Sequence, residues 1–240
     1  MGLFPIHESF EILYIDEYYV AINKPPDYLV HRSSIARNAP LVVLQLLRDQ
    51  LGQKVFPVHR LDRKTSGVLI FALAPEANKM LAQKFEKHEI NKEYIAFVRG
   101  WTEDKGIIDY DLVNDNGKTQ SAYTEYVTLE KYEINLPLGK FNTSRYSKVR
   151  LTPQTGRMHQ LRKHMSHIFH PIIADRPHGC NKQNRLWKHK LNMDTMMLHA
   201  RSLSFTHPYS EIQIEIVAPF FDEFERVQKI LNSNDFITQI

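Results

Sequence analysis

Five consecutive apolar residues, Val68-Leu69-Ile70-Phe71-Ala72, leave neither face of their segment for water. An alternating strand can expose every second side chain. A strand apolar on both faces must be covered on both. The run from Gly67 to Ala74 is therefore expected as a central strand of a sheet. At 240 residues, 42% hydrophobic and 24% charged, the chain can bury a core of one large domain or two small ones.

Other segments can be read around that strand. Ile12–Ile15 and Tyr19–Ile22 read as short strands with a turn at Asp16-Glu17, the second stopped by Pro25-Pro26. Pro40 to Leu51 has helical spacing in Leu44, Leu47 and Leu51, with Gly52 after its end. Phe56–His59 reads as a strand, and Pro75 opens a helix through His88. Glu93–Trp101, a long strand over 119–134, Lys148–Leu151, Leu198–Thr206 and Ile212–Val217 complete the strands. Helices are expected at Gly156–Ile168, with Thr155 as N-cap, and at Phe220–Leu231. The segment from Pro177 to Asp194 reads as the longest irregular stretch, a basic binding loop. Strands outnumber helices and many are sequential neighbours, so the expected class is α+β, with a mixed, mostly antiparallel sheet flanked by helices and loops. One domain over 1–240 is expected, since no linker or repeat divides the chain.

Net charge is only +4, but it is unevenly spread. From Ile134 to Met193 there are 12 Lys or Arg against one acid, Asp175, while the rest of the chain carries 19 basic and 26 acidic residues. Such asymmetry points to a polyanionic partner, nucleic acid first. A solvated basic face is the plainer alternative. The single cysteine, Cys180, excludes an internal disulfide framework and a cysteine-based zinc cage. No stretch is long and apolar enough to cross a bilayer, and Met1 to Glu8 lacks a secretory pattern, so the cytoplasm is expected.

Two motifs carry chemistry. His59-Arg60-Leu61-Asp62-Arg63-Lys64-Thr65-Ser66-Gly67 places one carboxylate among four basic side chains at the mouth of the apolar strand. A carboxylate fixed among cations suits a nucleophile or general base; the same residue types also make an ordinary turn. In Thr155-Gly156-Arg157-Met158-His159-Gln160-Leu161-Arg162-Lys163-His164, helical phase puts Arg162 at the edge of the stripe Met158, Leu161, Met165, Ile168 and leaves Lys163 wet. A half-buried guanidinium needs an anion, and with no acid from 134 to 174 it must come from elsewhere in the chain, Asp62 being an attractive choice, or from a ligand. Snorkelling to water is equally supported by pattern. His159, His164, His167 and His170 lack a carboxylate at ligand spacing, so no metal site is expected. Neither a Gly-x-Gly-x-x-Gly nor a Walker-type loop is present, so no nucleotide cofactor is expected.

Together these residues resemble the RluA-type pseudouridine synthases. Asn23-Lys24-Pro25 with Leu29-Val30-His31, His59-Arg60-Leu61-Asp62 with Thr65-Ser66-Gly67, Lys92-Glu93-Tyr94 with Gly100, Thr155-Gly156-Arg157 with His159-Gln160-Leu161-Arg162, and His170-Pro171-Ile172-Ile173 are similar to that family's motifs. Val42-Val43-Leu44-Gln45, Arg48-Asp49-Gln50, His178-Gly179 and Gln183-Asn184-Arg185 resemble the branch that modifies uridine 65 of tRNA. The resemblance implies the family's catalytic fold with a central RNA-binding cleft, and tRNA as partner. A monomer without cofactor or metal is expected, and the family's optional N-terminal S4 domain is read as missing because the chain starts directly with the first catalytic-domain strands. The resemblance makes Asp62 the catalytic carboxylate, Arg162 its partner, and Tyr94 the ring that stacks on uracil. It places His59, Arg60, Arg63 and Thr65 against substrate, with Arg60 filling the gap left by an extruded base. Arg157, His159, Gln160 and Lys163 join that set. Two departures bear on loop geometry: Asp27 and Ala174 stand where the family usually has Gly. A ribosomal-RNA synthase of the same family, a base-excision glycosylase and a non-catalytic RNA-binding protein are the alternatives.

Overall fold

The computed structural model describes residues 9–31, 42–193 and 195–233. Met1 to Glu8 and the helix start expected at Pro40 lie outside these residues. The chain divides into two compact units, one of Met1–Ile90 with Ser202–Pro219, the other of Asn91–Arg201 with Phe220–Ile240.

In the first unit, β1 (Ile12–Ile15) pairs antiparallel with β2 (Tyr19–Lys24). Asp16 closes their turn by accepting the N–H groups of Tyr18 and Tyr19 at 2.8 and 2.7 Å. Helix α1 (Val43–Leu51) ends at left-handed Gly52. β3 (Phe56–Pro57) and β2 both pair with β4 (Ser66–Ala72), also antiparallel. All seven residues of β4 are buried, as its unbroken apolar run requires. Helix α2 (Pro75–Glu86) begins on Pro75 and buries Ala77 and Leu81 against the side chains of β2 and β4.

In the second unit β5 (Asn91–Arg99), β6 (Lys105–Asp109), β7 (Leu112–Val113), β8 (Thr119–Gln120), β9 (Tyr123–Ile134) and β10 (Ser144–Pro153) follow in turn. β10 lies between β5 and β9, β9 also pairs with β6, and all three pairings are antiparallel. The stretch expected as one strand over 119–134 is two, because β8 turns aside to pair with β7. Helices α3 (Gln160–His167) and α4 (Asn181–Leu191) come next, followed by β11 (Leu198–Thr206). The end of β11, Ser202–Thr206, pairs in the first unit with β12 (Gln213–Val217), and α5 (Asp222–Asn232) follows. The α+β class and the mostly antiparallel sheet hold.

Two helical expectations need correction. α3 begins at Gln160, not Gly156, because His159 takes a left-handed φ of 55° and breaks the helical path. Met158 is therefore outside the helix and exposed. The segment from Pro177 to Asp194 contains α4 and is not an irregular loop. Gln183, Trp187 and Leu191 are spaced four apart and buried, which gives this cation-rich helix one adhesive edge. The Trp187 indole donates to the Tyr146 hydroxyl at 2.9 Å, and that hydroxyl donates to Gln183 Oε1 at 2.7 Å. The rings of Tyr146 and Trp187 meet edge to face, 5.3 Å apart. Trp187, Phe97, Leu151, Met165, Phe224 and Val227 belong to one core cluster.

Trp187→Ala should therefore destabilise the protein by about 3–5 kcal/mol. Urea denaturation of the variant measures it, and a cost under about 1 kcal/mol would show that α4 is not anchored by this ring.

Candidate active site

In the first unit, β3 delivers the chain to His59 and β4 receives it at Ser66. Thr65 N–H donates to the Asp62 carbonyl at 3.1 Å, so the residues between form a closed turn. The turn reading and the catalytic reading of Asp62 are thus compatible. Leu61, Thr65 and Ser66 are buried, Asp62 is half-buried, and Arg60 and Arg63 are exposed. His59 Nε2 accepts the Ile70 N–H at 3.2 Å, which puts the ring proton on Nδ1, and its ring stacks on Phe85. The ring is a strut for the turn, oriented by β4 and α2.

The sequence suggested that the loop's own cations surround Asp62. Two of them face another acid. Arg63 Nε donates to the Asp27 carbonyl at 3.1 Å and stands 3.7 Å from its carboxylate, and Lys64 Nζ stands 3.6 Å from the same oxygen. Asp27 occupies the left-handed region, at φ 69°, so the departure from Gly leaves the turn intact.

Lys24 was read only as part of a motif, and it proves central to this unit's site. It closes β2 with 0% exposure, and its Nζ donates to the carbonyls of Pro25, Tyr28 and Arg63 at 2.8, 3.1 and 3.1 Å. Three acceptors match the three N–H groups of an ammonium. One side chain thereby ties the end of β2, the 25–28 turn and the Asp62 turn together. Burial pulls its pKa down to about 7, while the charges of Asp27 and Asp62 oppose the shift and Arg63 adds to it. Asp62 therefore lies in the field of a buried cation that sequence reasoning did not assign. The only signal was a lysine ending an otherwise buried strand.

In the second unit, Tyr94 sits on β5, paired with Leu151 of β10, half-buried against the core cluster. Lys92 Nζ reaches the Thr155 carbonyl at 3.4 Å, and burial lowers its pKa. Thr155 does not cap α3. Its hydroxyl donates to Gln160 Oε1 at 2.7 Å and accepts the Tyr123 N–H at 3.0 Å. Gln160, 4% exposed, also accepts the Arg157 N–H and donates to the Tyr123 carbonyl and Thr124 hydroxyl. Thr155-Gly156-Arg157 is thus held by Gln160, which serves as scaffold. Arg157 Nε donates to the Ser121 carbonyl, and Lys163, expected to be wet, is half-buried and donates to the Val113 carbonyl.

Arg162 is buried, as its helical phase implied, and meets Asp175. Nε donates to Oδ2 and Nη2 to Oδ1, both at 2.8 Å, with side-chain exposures of 8% and 1%. Asp175 Oδ1 also accepts the His178 N–H at 3.3 Å. His178 Nε2 lies 3.0 Å from His159 Nδ1, and burial lowers the His178 pKa against the pull of Asp175. Ala174 takes φ 60° where the family usually has Gly, and its N–H donates to Asn184 Oδ1. Among the described residues no three His, Cys, Asp or Glu side chains converge as metal ligands. His164 has Nδ1 against the Thr124 hydroxyl and Nε2 against the Tyr110 carbonyl, both at 3.0 Å.

The Lys24 arrangement sets a pH dependence. Its folded pKa of about 7 lies below the ordinary 10.5. Between these values the unfolded chain holds a proton that the folded chain sheds. Unfolding free energy should rise with pH in that window, by up to about 1.4 kcal/mol per unit. Urea midpoints from pH 7 to 9 should show the rise, and Lys24→Met should flatten it. An equal slope in both proteins would mean that Lys24 keeps its proton throughout.

Residues 18–167 match the family described as RNA pseudouridylate synthase. A tRNA pseudouridine synthase C of Pasteurella multocida is 47% identical over 221 residues, covering 88% of this chain and 91% of its own. The protein of the same name from Vibrio parahaemolyticus is 42% identical over 228 residues, covering 90% of this chain and 93% of its own. Among solved structures, human RNA pseudouridylate synthase domain containing 4 superposes with a TM-score of 0.71 at 25% identity, covering 92% of each chain. Human RNA pseudouridylate synthase domain containing 1 gives 0.70 at 23% identity, over 94% of this chain and 96% of that one, and so speaks for the fold alone. A turn built to hold one half-buried acid, a buried guanidinium and a half-buried tyrosine stand on the motifs of this group, and the chain belongs to the RNA pseudouridylate synthase family.

Proposed function

We propose that this chain isomerises uridine to pseudouridine in tRNA, at position 65, working as a monomer in the cytoplasm. The observation that carries the choice of tRNA is identity of 42–47% to proteins named tRNA pseudouridine synthase C, over more than four-fifths of both chains. Position 65 rests on the resemblance of the Val42–Gln45, Arg48–Gln50 and His178–Arg185 residues to that branch.

The reaction breaks the bond from uracil N1 to C1′, turns the base and joins C5 to C1′. The proton lost from C5 is balanced by one gained at N1, and no electrons are transferred. The chemistry asks for a carboxylate, a platform for the base and positive charge. Asp62 is the carboxylate, attacking C1′ or removing a sugar proton. Tyr94 presents its ring to the uracil, and Arg162 supplies buried positive charge. The base must leave the stem to react, and exposed Arg60 is suited to take its place. Cations of the Ile134–Met193 segment grip phosphates.

Mapping pseudouridine in tRNA exposed to the purified protein tests the assignment. Modification confined to ribosomal RNA would favour the sister activity, and release of free uracil would identify a glycosylase. Asp62→Asn should lose at least about 10³-fold in turnover while tRNA affinity stays within a few fold. Substantial product from that variant would remove Asp62 from the chemistry. Arg162→Ala should be inactive and about 3–5 kcal/mol less stable, because it strands the buried Asp175. Arg162→Lys keeps the charge but not the fork, so it should recover part of both losses; full activity in Arg162→Ala would exclude the role.

A further inference from the structure

Two imidazoles meet beside the Arg162 fork. His159 Nδ1 lies 3.0 Å from His178 Nε2, with the rings edge to face and 5.1 Å between centroids. Both residues are half-buried. A contact of that length needs a proton on one nitrogen and a lone pair on the other. Whichever ring donates, the other must offer a bare nitrogen. A second proton would set N–H against N–H and bring two positive charges together.

Each ring reaches this contact from a constrained backbone. His159 sits at φ 55° just before α3, so its ring is aimed by its turn and its contacts and not by the period of the helix. His178 is fixed from the other side. Its N–H donates to Asp175 Oδ1 at 3.3 Å. At the next residue, Gly179, a Cβ would fall 1.8 Å from the Asp175 carbonyl oxygen, so only glycine lets the chain lie this close. That carbonyl also accepts from Asn184 Nδ2 at 2.7 Å, which ties the turn to α4. The main chain of His178 thus belongs to the turn that holds Arg162, while its ring meets His159.

The surroundings favour one proton on the pair over two. Burial disfavours a charge on His178 most strongly. Asp175, on its own turn, opposes that effect. Arg162 and Lys163 on α3, and His159 ahead of it, add to it, so the His178 pKa lies below that of an ordinary imidazole. At neutral pH the His178 ring is uncharged and can bridge to His159.

We infer that His178 is a positioning residue, whose ring holds the His159 ring in the orientation that meets the RNA substrate. This rests on the proposed function, with His159 against substrate as its motif implies, and adds the group that aims it.

A double-mutant cycle on the full chain tests it, with KM and kcat measured on a tRNA transcript. Alanine at 178 keeps the N–H on Asp175, so His178→Ala removes the ring contact and spares the fork. It should lower kcat/KM about tenfold, as loss of one hydrogen bond does, while the melting temperature falls by less than about 4 °C. His178→Asn, too short to reach His159, serves the same cycle if alanine folds poorly. His159→Ala should lose about as much, and the double variant no more than the larger single loss, because both remove one contact. His178→Gln puts an amide nitrogen near the place of Nε2 and should restore part of the loss. Below about pH 6.5 the wild type should lose kcat/KM as the pair takes its second proton. His178→Gln, which cannot take one, should lose less. Additive losses, wild-type kinetics in His159→Ala, or coincident pH profiles would overturn the positioning and leave the function standing. If the wild type forms no pseudouridine in tRNA, the function fails, and the positioning with it.

Discussion

The buried fork between Arg162 and Asp175 is the constraint on which the second unit's site depends. Taking both charges out of water costs several kcal/mol per ion, and only close, two-point geometry with further donors returns it. Both conditions are met, by two contacts of 2.8 Å and by the His178 N–H. The fork joins α3 to the turn after Ile173, and Asn184 joins that turn to α4. Three successive segments of the chain are thereby fixed to one guanidinium. A shift in any of them would leave a buried ion without its partner, so the arrangement admits little play.

Much of this architecture was legible because it obeys simple periods. β4 is apolar on every residue from Val68 to Ala72, β11 was found at its own bounds, and α2 and α5 carry apolar residues at helical spacing. Motif resemblance singled out Asp62, Tyr94 and Arg162, and the helical phase of Arg162 matched its burial. What failed to show were features decided by partners or backbone turns that a helical or strand period does not reveal. The cations of α4 masked its three buried residues, which become an adhesive edge only once Tyr146 is present to receive Trp187. The helical phase of 156–159 hid the left-handed turn at His159. Thr155 looked like a cap by residue type, yet Gln160 offered its hydroxyl a better partner. Asp175 was visible only as the lone acid of a basic segment, since nothing in a linear pattern couples it back to Arg162 thirteen residues earlier.

Lys24 shows the same limit more sharply. Lysine is among the residues least often fully buried, so sequence reasoning places it at the surface. Its burial follows from position: it ends a strand buried along its whole length and is followed by Pro25-Pro26, which directs the chain into a tight turn. The side chain then meets a ring of three backbone carbonyls, which accept its N–H groups in place of water.

The two buried bases solve one problem by different chemistry. A guanidinium does not give up its proton in a protein, so Arg162 is buried against an acid, and it is held by Asp175. An amine can shed its proton, so Lys24 tolerates neutral carbonyl acceptors, with Asp27 and Asp62 acting through space. The difference assigns different tasks. Arg162 carries a positive charge that pH does not remove, which suits a fixed link between α3 and the Asp175 turn. Lys24 holds the Asp62 turn through carbonyls that accept from either form of the amine, which suits a structural tie. Full ammonium is needed only to satisfy all three carbonyls at once. The tightness of the turn around Asp62 is therefore linked to a single proton on the lysine beneath it.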